Sequence, residues 1–449
     1  MIEQLENTIR KSLPSPFSIA IILTIIIILL SLILTENSVI YILTSWEEGL
    51  WNNSLMNFAM QMMLMLVLGY VLALTESSKK IIEKITHLCK NSAHAAFWVS
   101  FSTILVSFFN WGLGLIFGAI LARKVGEYAV KNNIQLNYPL IGAAGYSGLM
   151  VWHGGFSGSI PLKIAEQNHL KSIINNPDIL KKVPESGIDF SQTVLSSMNL
   201  SVSLLLIIII PLILFYVGKK KPKGKKIQFK TTEIKEQKST FIGAEKIDHS
   251  KFFSKIVGIT ILTFAIRKAF IADSLAFINP NFINFLLLGL CLFLHKNFNF
   301  FIKSVNSAIT SASGILIQFP LYFGIMGIMN ATGLVDVFAD FFVNISNKNT
   351  YPIFTMLSGG IVNIFVPSGG GQWAVQGVIV IQSALELGVS IPKSIMALVY
   401  GDQLTNMLQP FWALPLLGIT QLKAKELLPY TLIIMLIGII IFSTNLILF

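Results

Sequence analysis

The sequence predicts an all-α polytopic membrane protein with about nine transmembrane helices and two re-entrant helical hairpins arranged as an inverted repeat. Apolar residues make up 53% of the 449 residues and charged residues only 12%, whereas a soluble domain carries about 25% charge. The mean hydropathy of +0.70 agrees with a membrane protein. Apolar runs of spanning length recur along the chain, and two of the apolar segments contain glycines at their centres.

The predicted crossings are apolar runs of about 20 residues, the length that a helix needs to span a bilayer. They lie at 17–34, 53–75, 138–163, 192–217, 252–272, 281–295, 306–331, 391–420 and 427–448. The first run lacks a small-residue cleavage site after it, so we expect a retained helix and not a signal peptide. Segments 93–130 and 350–388 each consist of two apolar arms around a glycine-containing centre, which predicts hairpins that enter and leave on the same side.

The positive charge of the chain is concentrated in one polar loop. Of the net +11, a large share lies between Lys219 and Lys251, where eleven lysines face four acidic residues. Lysine and arginine accumulate in cytoplasmic loops, so this segment indicates membrane orientation and not nucleic-acid binding. With the N-terminus in the cytoplasm, the other basic clusters also fall on the inner side, and nine crossings place the C-terminus outside.

The two halves of the chain share residues at a nearly constant offset. The matched pairs are Asn110 and Asn363, Gly118 and Gly371, Pro139 and Pro392, Tyr146 and Tyr400, and Pro161 and Pro415. An odd number of crossings between the copies would invert the second, and carriers of this kind bind their substrate near the midplane. The predicted organisation is a first half 1–217, with hairpin 93–130 and broken helix 138–163, then a basic loop 218–251, then a second half 252–449, with hairpin 350–388 and broken helix 391–420.

The centres of the two hairpins are the candidate substrate site. Irregular backbone survives at membrane depth only where protein shields it or where it lines a cavity. Each second arm begins a helix whose first N–H groups and partial positive charge favour an anion. The candidate substrate-binding residues are Asn110, Gly112, Gly114, Asn363, Pro367, Ser368, Gly369, Gly370, Gly371 and Gln372. The alternative is that these glycines only let helices pack closely.

The two broken helices are the candidate site for a coupling ion or proton. Glycines and prolines in 145–161 and 400–415 interrupt the helices and free carbonyl groups. The candidate residues are Gly154, Ser157, Ser159, Asp402, Gln403 and Asn406. An ionisable group deep in the membrane is a candidate proton carrier or cation ligand, and Asp402 fits that description. The alternative for Asp402 is an interfacial position near the end of a tilted helix.

Other chemistries lack their motifs. Cys89 and Cys291 are too few and too far apart for a thiolate metal site, and His153 has no second ligand at suitable spacing. The serines after Gly155 lack the closing glycine of a nucleophile elbow, and neither glycine cluster runs into a P-loop lysine. We therefore expect neither an enzyme nor a bound cofactor or metal, apart from a co-transported Na⁺ or proton.

Several strings of residues carry a resemblance to a known family. They are Asn110-Trp-Gly-Leu-Gly, Gly154-Gly-Phe-Ser-Gly-Ser-Ile-Pro-Leu, Gly314-Ile-Leu-Ile-Gln-Phe-Pro, Val366-Pro-Ser-Gly-Gly-Gly-Gln-Trp and Gln409-Pro-Phe-Trp-Ala-Leu-Pro. With them the chain resembles the bacterial short-chain fatty acid transporter family over almost its whole length, least so at 164–191 and 218–251. It departs from the family pattern at His153 and Gln372, where Gly and His are expected.

The resemblance implies uptake of small monocarboxylates, such as butyrate and acetoacetate, across the bacterial inner (cytoplasmic) membrane. It also implies a wider group of ion-coupled carriers with inverted repeats, commonly homodimers in which one domain moves as an elevator. The expected function is secondary active transport with a small carboxylate and the lipid bilayer as partners. The alternative is a passive small-anion channel or uniporter. A membrane-embedded acyl enzyme is disfavoured, because no nucleophile, base and orienting acid occur together.

Overall fold

The computed structural model describes residues 14–174, 180–222, 243–271, 277 and 279–449. All regular secondary structure in these residues is helical. In the first half the α-helices are α1 (Pro16–Leu34), α2 (Val39–Leu50), α3 (Asn53–Ala73), α4 (Glu76–Thr86), α5 (Ser92–Phe109), α6 (Trp111–Lys131), α7 (Tyr138–Tyr146), α8 (Ser159–Ile164), α9 (His169–Ile173) and α10 (Ser197–Lys220). Most of the predicted basic loop 218–251 lies outside the described residues.

The second half continues the helical architecture. Its α-helices are α11 (Glu245–Asp248), α12 (Lys251–Phe270), α13 (Pro280–Leu294), α14 (Phe298–Ala308), α15 (Ser313–Ala331), α16 (Leu334–Asn344), α17 (Tyr351–Phe365), α18 (Gly369–Glu386), α19 (Ile391–Thr405), α20 (Pro410–Thr420) and α21 (Ala424–Leu448). Short 3₁₀ segments at Ser147–Met150, Phe190–Gln192 and Ile309–Ala312 join some of them.

Six helical stretches in the described chain are long and apolar enough to cross a membrane. They are Pro16–Leu34, Val39–Ala73, Ser92–Phe109, Ser197–Lys220, Phe298–Ala331 and Ala424–Leu448. Shorter apolar helices occur at Pro280–Leu294, Tyr351–Phe365 and Pro410–Thr420. The prediction of a multi-pass, all-helical membrane protein is therefore confirmed. The number of nine crossings and the re-entrant path of the hairpins stay predictions.

Polar side chains cap many of these helices. Asn91 accepts hydrogen bonds from the backbone N–H groups of Ala93 and His94 at the start of α5, each at 3.0 Å. Ser196 accepts from Asn199 at the start of α10. Asn and Ser are strong N-caps because their side-chain oxygens pair with N–H groups that lack a partner in the helix. The sequence thus determines where an apolar helix begins.

In two places, two consecutive helices are separated only by a short non-helical segment, which we call a break. Only Asn110 stands between α5 and α6, and residues 366–368 stand between α17 and α18. The two helices of each pair pack against each other. At the first break Asn110 accepts a hydrogen bond from Leu113 N at 2.9 Å, and at the second Ser368 accepts from Gly371 N at 3.2 Å.

Two broken helices pack against these pairs. The helix α7 passes into a 3₁₀ turn and ends in irregular chain before α8, while α19 and α20 are separated by residues 406–409. Glycines allow the backbones to touch: a Cβ on Gly118 would lie 2.1 Å from Gly145 O. At the second broken helix, a Cβ on Gly401 would lie 2.1 Å from Met356 O. Small residues permit such close helix contacts in membranes.

Candidate functional site

A cavity of about 200 Å³ lies where the two helix breaks and the two broken helices meet. Its lining residues are Ser54, Leu55, Phe58, Trp111, Trp152, Ser159, Phe323, Met326, Pro367, Ser368, Gly369, Phe411 and Trp412. The volume is below the 300–1,000 Å³ typical of pockets for drug-sized ligands. A molecule of a few non-hydrogen atoms is the size of ligand that it can enclose.

Six of the thirteen residues that line the cavity are aromatic. The ring of Trp111 lies 5.2 Å from that of Trp412 and 5.8 Å from that of Trp152, measured between centroids. Phe58 stands edge-on to Trp412 at 6.1 Å. These edge-to-face arrangements are the favoured geometry of aromatic pairs, so the wall is rigid and apolar. It suits a short hydrocarbon tail.

One side of the cavity is polar and comes from the start of α18. Ser368 caps the helix, and the N–H groups of Gly371 and Gln372 bond to its side-chain and backbone oxygens. The N–H groups of Gly369 and Gly370 have no hydrogen-bond partner in the part of the chain that the structure describes. Two unpaired donors at a helix N-terminus favour an anion. Gly370 is exposed, with open space around its Cα.

The first break contributes in a different way. Trp111 N donates to Ser157 Oγ at 2.9 Å, and Leu113 N donates to Asn110 Oδ1. Phe156 N donates to Phe108 O, which ties the break to the irregular chain before α8. Most of the first N–H groups of α6 are therefore satisfied within the protein, and this break supplies the Trp111 ring to the cavity. Ser157, a candidate ion ligand, holds the first break in place.

Several candidate substrate residues face other parts of the protein. Gly112 packs against the sulfur of Met65, and Gly114 against Ser107. The side chain of Gln372 is buried and donates to Gly359 O at 2.7 Å, which joins α18 to α17. These three residues do not line the cavity, because each lies on the face of its helix that packs against a neighbouring helix.

Asn363 lies inside α17, one turn before the second break, whereas Asn110 lies in the first break itself. Its amide nitrogen is within hydrogen-bond reach of three acceptors at 2.9–3.0 Å, namely Asp402 O, Thr405 Oγ1 and Asn406 Oδ1. Asn363 was expected to bind the substrate, but its side chain faces the broken helix and not the cavity. It braces the broken helix, because buried polar groups take the nearest partners.

Four of the six candidate ion residues, Gly154, Asp402, Gln403 and Asn406, lie where the two broken helices meet. Gln403 Oε1 accepts from the backbone N–H groups of His153 and Gly154, both at 3.2 Å. Asn406 accepts from Tyr146 through its backbone oxygen. Together these bonds join the two broken helices. The other two are Ser157, which holds the first break, and Ser159, which lines the 200 Å³ cavity at the start of α8.

Asp402 and His153 form a buried pair that sequence reasoning did not foresee. Both side chains are fully buried, and His153 Nδ1 lies 2.9 Å from Asp402 Oδ2. The approach lacks the alignment of a hydrogen bond, so neither carboxylate oxygen has a hydrogen-bond partner among the described residues. The sequence signal for His153 was its place in a glycine-rich helix break, but its partner is about as far away along the chain as the two halves of the repeat.

A hydrogen bond joins α18 to the segment after α8. Trp373, one turn into α18 and 2% exposed, donates from Nε1 to His169 Nε2 at 2.9 Å. Burial and the nearby charge of Lys163 lower the pKa of His169 below its ordinary value, against the opposing effect of Glu166. A neutral ring accepts this bond and a protonated ring does not. The bond is therefore intact above about pH 6.5 and is lost as the pH falls below that value.

We expect Trp373→Phe to loosen the second break. Losing one hydrogen bond of about 0.5–1.5 kcal/mol should raise amide exchange in residues 366–373 about two- to tenfold at pH 7.5. Acidification should have the same effect in the unsubstituted protein, after correction for intrinsic exchange rates, and should add little in the variant. Hydrogen–deuterium exchange with mass spectrometry measures both.

Trp46→Phe is the matched control, because the buried Trp46 indole N–H has no hydrogen-bond partner among the described residues. Its exchange in residues 366–373 should equal that of the unsubstituted protein. Equal exchange in Trp373→Phe would show that the bond does not hold the break.

The comparisons with known proteins decide the family. The family model for "Short chain fatty acid transporter" matches residues 1–449. The chain belongs to the short-chain fatty acid transporter family. An Escherichia coli K12 relative, named "Putative short-chain fatty acid transporter", is 32% identical over 453 residues, covering 98% of this chain and 97% of the relative. A Haemophilus influenzae relative of the same name is 33% identical, covering 94% and 93%.

Membership of this transporter family means that the protein is a transporter and not an enzyme. Among solved structures, the chain is similar to the YdaH transporter of Alcanivorax borkumensis, at 14% identity and a TM-score of 0.48. That likeness covers 97% of this chain and 98% of the other. The strings Asn110–Gly114 and Val366–Trp373, which carry the resemblance in sequence, flank the cavity through Trp111, Pro367, Ser368 and Gly369.

Proposed function

We propose that the protein is a secondary active transporter that carries short-chain fatty acids, of the butyrate and acetoacetate class, across the inner membrane together with a proton or Na⁺. One observation carries the proposal: the small cavity is apolar over most of its wall and has unpaired N–H groups at one side. A short monocarboxylate has the same two parts. Membership of the transporter family supports the substrate class.

The substrate lies with its carboxylate against the start of α18. The free N–H groups of Gly369 and Gly370 and the hydroxyl of Ser368 donate to its oxygens, and the helix dipole adds to the attraction. The tail packs on the rings of Trp111 and Trp412. Each methylene that leaves water stabilises the complex by about 0.8 kcal/mol.

The path of the chain in the membrane follows from the two broken pairs of helices. The pairs α5–α6 and α17–α18 are re-entrant hairpins, the nine predicted crossings include the broken helices, and the second half is an inverted copy of the first. The N-terminus is cytoplasmic and the C-terminus outside. This path is supported because each half contains one such pair of helices and one broken helix. As in elevator carriers, these elements move together within each protomer of a homodimer.

Coupling takes place at the buried Asp402, next to the irregular chain of 154–158. An isolated buried carboxylate is costly, so the moving unit needs a proton or a cation to neutralise it. The fully buried position of Asp402, without a hydrogen-bond donor among the described residues, supports this role. An Asp at the membrane interface would instead be exposed to water.

Proteoliposomes test the proposal. We expect saturable uptake of labelled butyrate and counterflow against unlabelled butyrate. Affinity should rise about fourfold per methylene, since each buried methylene contributes about 0.8 kcal/mol. It should fall steeply once the acid exceeds the cavity, because overfilled cavities are destabilised by clashes.

Two results would contradict this function. Ohmic current in a planar bilayer without counterflow would indicate a passive anion channel. Uptake that rises smoothly from acetate to long-chain acids, with no limit on length, would exclude a closed cavity as the binding site. A soluble dicarboxylate such as succinate serves as the control substrate, since its second charge has no donor on the aromatic wall.

A further inference from the structure

The geometry points to His153 and Asp402 as one proton site, in which Asp402 carries the proton that is co-transported with the carboxylate. His153 is its positioning residue and makes the site selective for a proton over a metal cation. This inference rests on the proposed transport function and goes beyond it by assigning the coupling ion and a role for His153. The contacts of His153, Asp402 and Gly369 support it.

The hydrogen bonds of His153 define its protonation state. The backbone N–H of Ile160 donates to His153 Nε2 at 3.1 Å, so this nitrogen carries no proton. The ring is therefore neutral, with its proton on Nδ1, the atom 2.9 Å from Asp402 Oδ2. Stacking on Trp152 at 4.3 Å between ring centroids also fixes the ring. With Asp402 ionised, the pair holds one negative charge.

A metal cation is poorly accommodated beside this carboxylate. Hard cations bind several oxygen ligands, as carboxylates, carbonyls and waters supply. Here His153 Nδ1 lies 2.9 Å from Asp402 Oδ2, and in this tautomer the positive end of its N–H repels a cation. The backbone at Gly369 closes another side, since a Cβ there would lie 3.1 Å from Oδ2. A proton needs neither ligands nor volume.

The other charged groups on the helices around the pair lie at helix ends. The elements packed against α19 are α17, α18, α21 and the 3₁₀ turn at Ser147–Met150. Their charged side chains, and those of α19 itself, sit at helix ends: Glu386, Lys393, Lys425 and Glu426. Among the described residues, His153 is the one titratable group within ion-pair distance of Asp402.

The substrate and the proton are coupled through Gly369. This residue lines the cavity and has a free N–H, and it lies beside both members of the pair, since an added Cβ would come within 2.5 Å of His153 Cε1 and 3.1 Å of Asp402 Oδ2. A substrate carboxylate bound there repels an ionised Asp402, and protonation removes the repulsion. By reciprocity, the proton strengthens substrate binding as much as the substrate strengthens proton binding.

The charges of the cycle balance. One proton enters with one carboxylate, so transport is electroneutral. The moving unit holds one negative charge when empty, on Asp402, and one when loaded, on the substrate, with Asp402 neutral. If the carboxylate bound without the proton, the moving unit would hold two negative charges. This doubly charged state does not cross the membrane.

The test compares two modes of transport in proteoliposomes that contain equal amounts of full-length protein. A pH gradient, acid outside, should drive accumulation of labelled butyrate, and a Na⁺ gradient should not. Asp402→Asn, which mimics the protonated state, should lose gradient-driven accumulation at least tenfold and keep counterflow. Asp336→Asn, at an acidic residue in α16 remote from the pair, should keep both. Retained pH-driven accumulation in Asp402→Asn would overturn the proposal.

Two substitutions of His153 separate positioning from proton carriage. His153→Gln can accept from Ile160 N and donate to Asp402, so it should keep the pH profile of uptake. His153→Leu removes the ring nitrogen that lies 2.9 Å from Asp402 Oδ2, so its pH profile of uptake should differ from that of the unsubstituted protein. Loss of coupling in His153→Gln would put the proton on the ring and overturn the assignment to Asp402.

Failure of this inference can be told from failure of the transport function. If the unsubstituted protein shows butyrate counterflow but Na⁺ drives accumulation, the carboxylate transporter stands and the proton site is wrong. If the unsubstituted protein shows no butyrate counterflow at all, the proposed function itself is wrong.

Discussion

Replacing Gly369 by alanine should reduce butyrate uptake about ten- to hundredfold. The new Cβ would lie 2.5 Å from His153 Cε1 and 2.9 Å from Nε2, closer than real Cβ contacts. The ring cannot move aside, because Ile160 N–H, Asp402 and Trp152 hold it from three directions. Overpacking of this kind costs about 1–3 kcal/mol. If it displaces the start of α18 from the cavity, substrate binding weakens by that free energy, which corresponds to the expected loss of uptake.

Gly370→Ala is the matched control. A Cβ at Gly370 meets no atom within 4 Å, and the backbone of neither glycine requires a positive φ. Its uptake should fall less than that of Gly369→Ala, since alanine keeps the N–H group that faces the substrate and its Cβ displaces no protein atom. Initial rates of labelled butyrate uptake measure both variants. Equal uptake by the two would show that α18 does not rest on His153 in the working protein.

Replacing Gly401 by alanine should destabilise the fold by about 3 kcal/mol, at the upper end of overpacking effects. Its Cβ would lie 2.1 Å from Met356 O and 2.7 Å from Gly360 N, both of them backbone atoms of α17. Backbone cannot rotate away as a side chain can, so α17 and α19 must separate. Because Asn363 on α17 holds Asp402 O, transport should fall along with stability.

Gly360→Ala, on the facing helix α17, is the control. A Cβ there would lie 3.1 Å from the methyl group of Thr405 and 3.4 Å from Gly401 O, so a small shift accommodates it. Thermal unfolding in detergent, followed by intrinsic fluorescence, should give a melting temperature several degrees lower for Gly401→Ala than for Gly360→Ala. The reverse order would show that the two helices are not in backbone contact at Gly401.

Some residues of the candidate site were predictable from the sequence, and others were not. The positions of Ser368 and Gly369 at the cavity were predictable, because residues after a helix break expose N–H groups whatever the neighbours are. Asn363 and Gln372 were not, because which side of a helix an amide faces depends on partners such as Thr405 and Gly359. The aromatic wall was missed for the same reason, since Phe58, Trp152 and Trp412 come from distant segments.

The sequence by itself determined the helical class, the membrane environment, the family and the presence of helix breaks near Asn110 and Pro367, although the second helices begin at Trp111 and Gly369, earlier than the glycines suggested. These follow from local properties: apolar runs, the missing N–H of proline, the freedom of glycine and a specific string of residues. Only the tertiary structure decided that His153 meets Asp402 and that Gly369 lies between this pair and the cavity. Both depend on packing between segments far apart in the chain, because a buried charge takes its properties from the groups within a few ångströms of it.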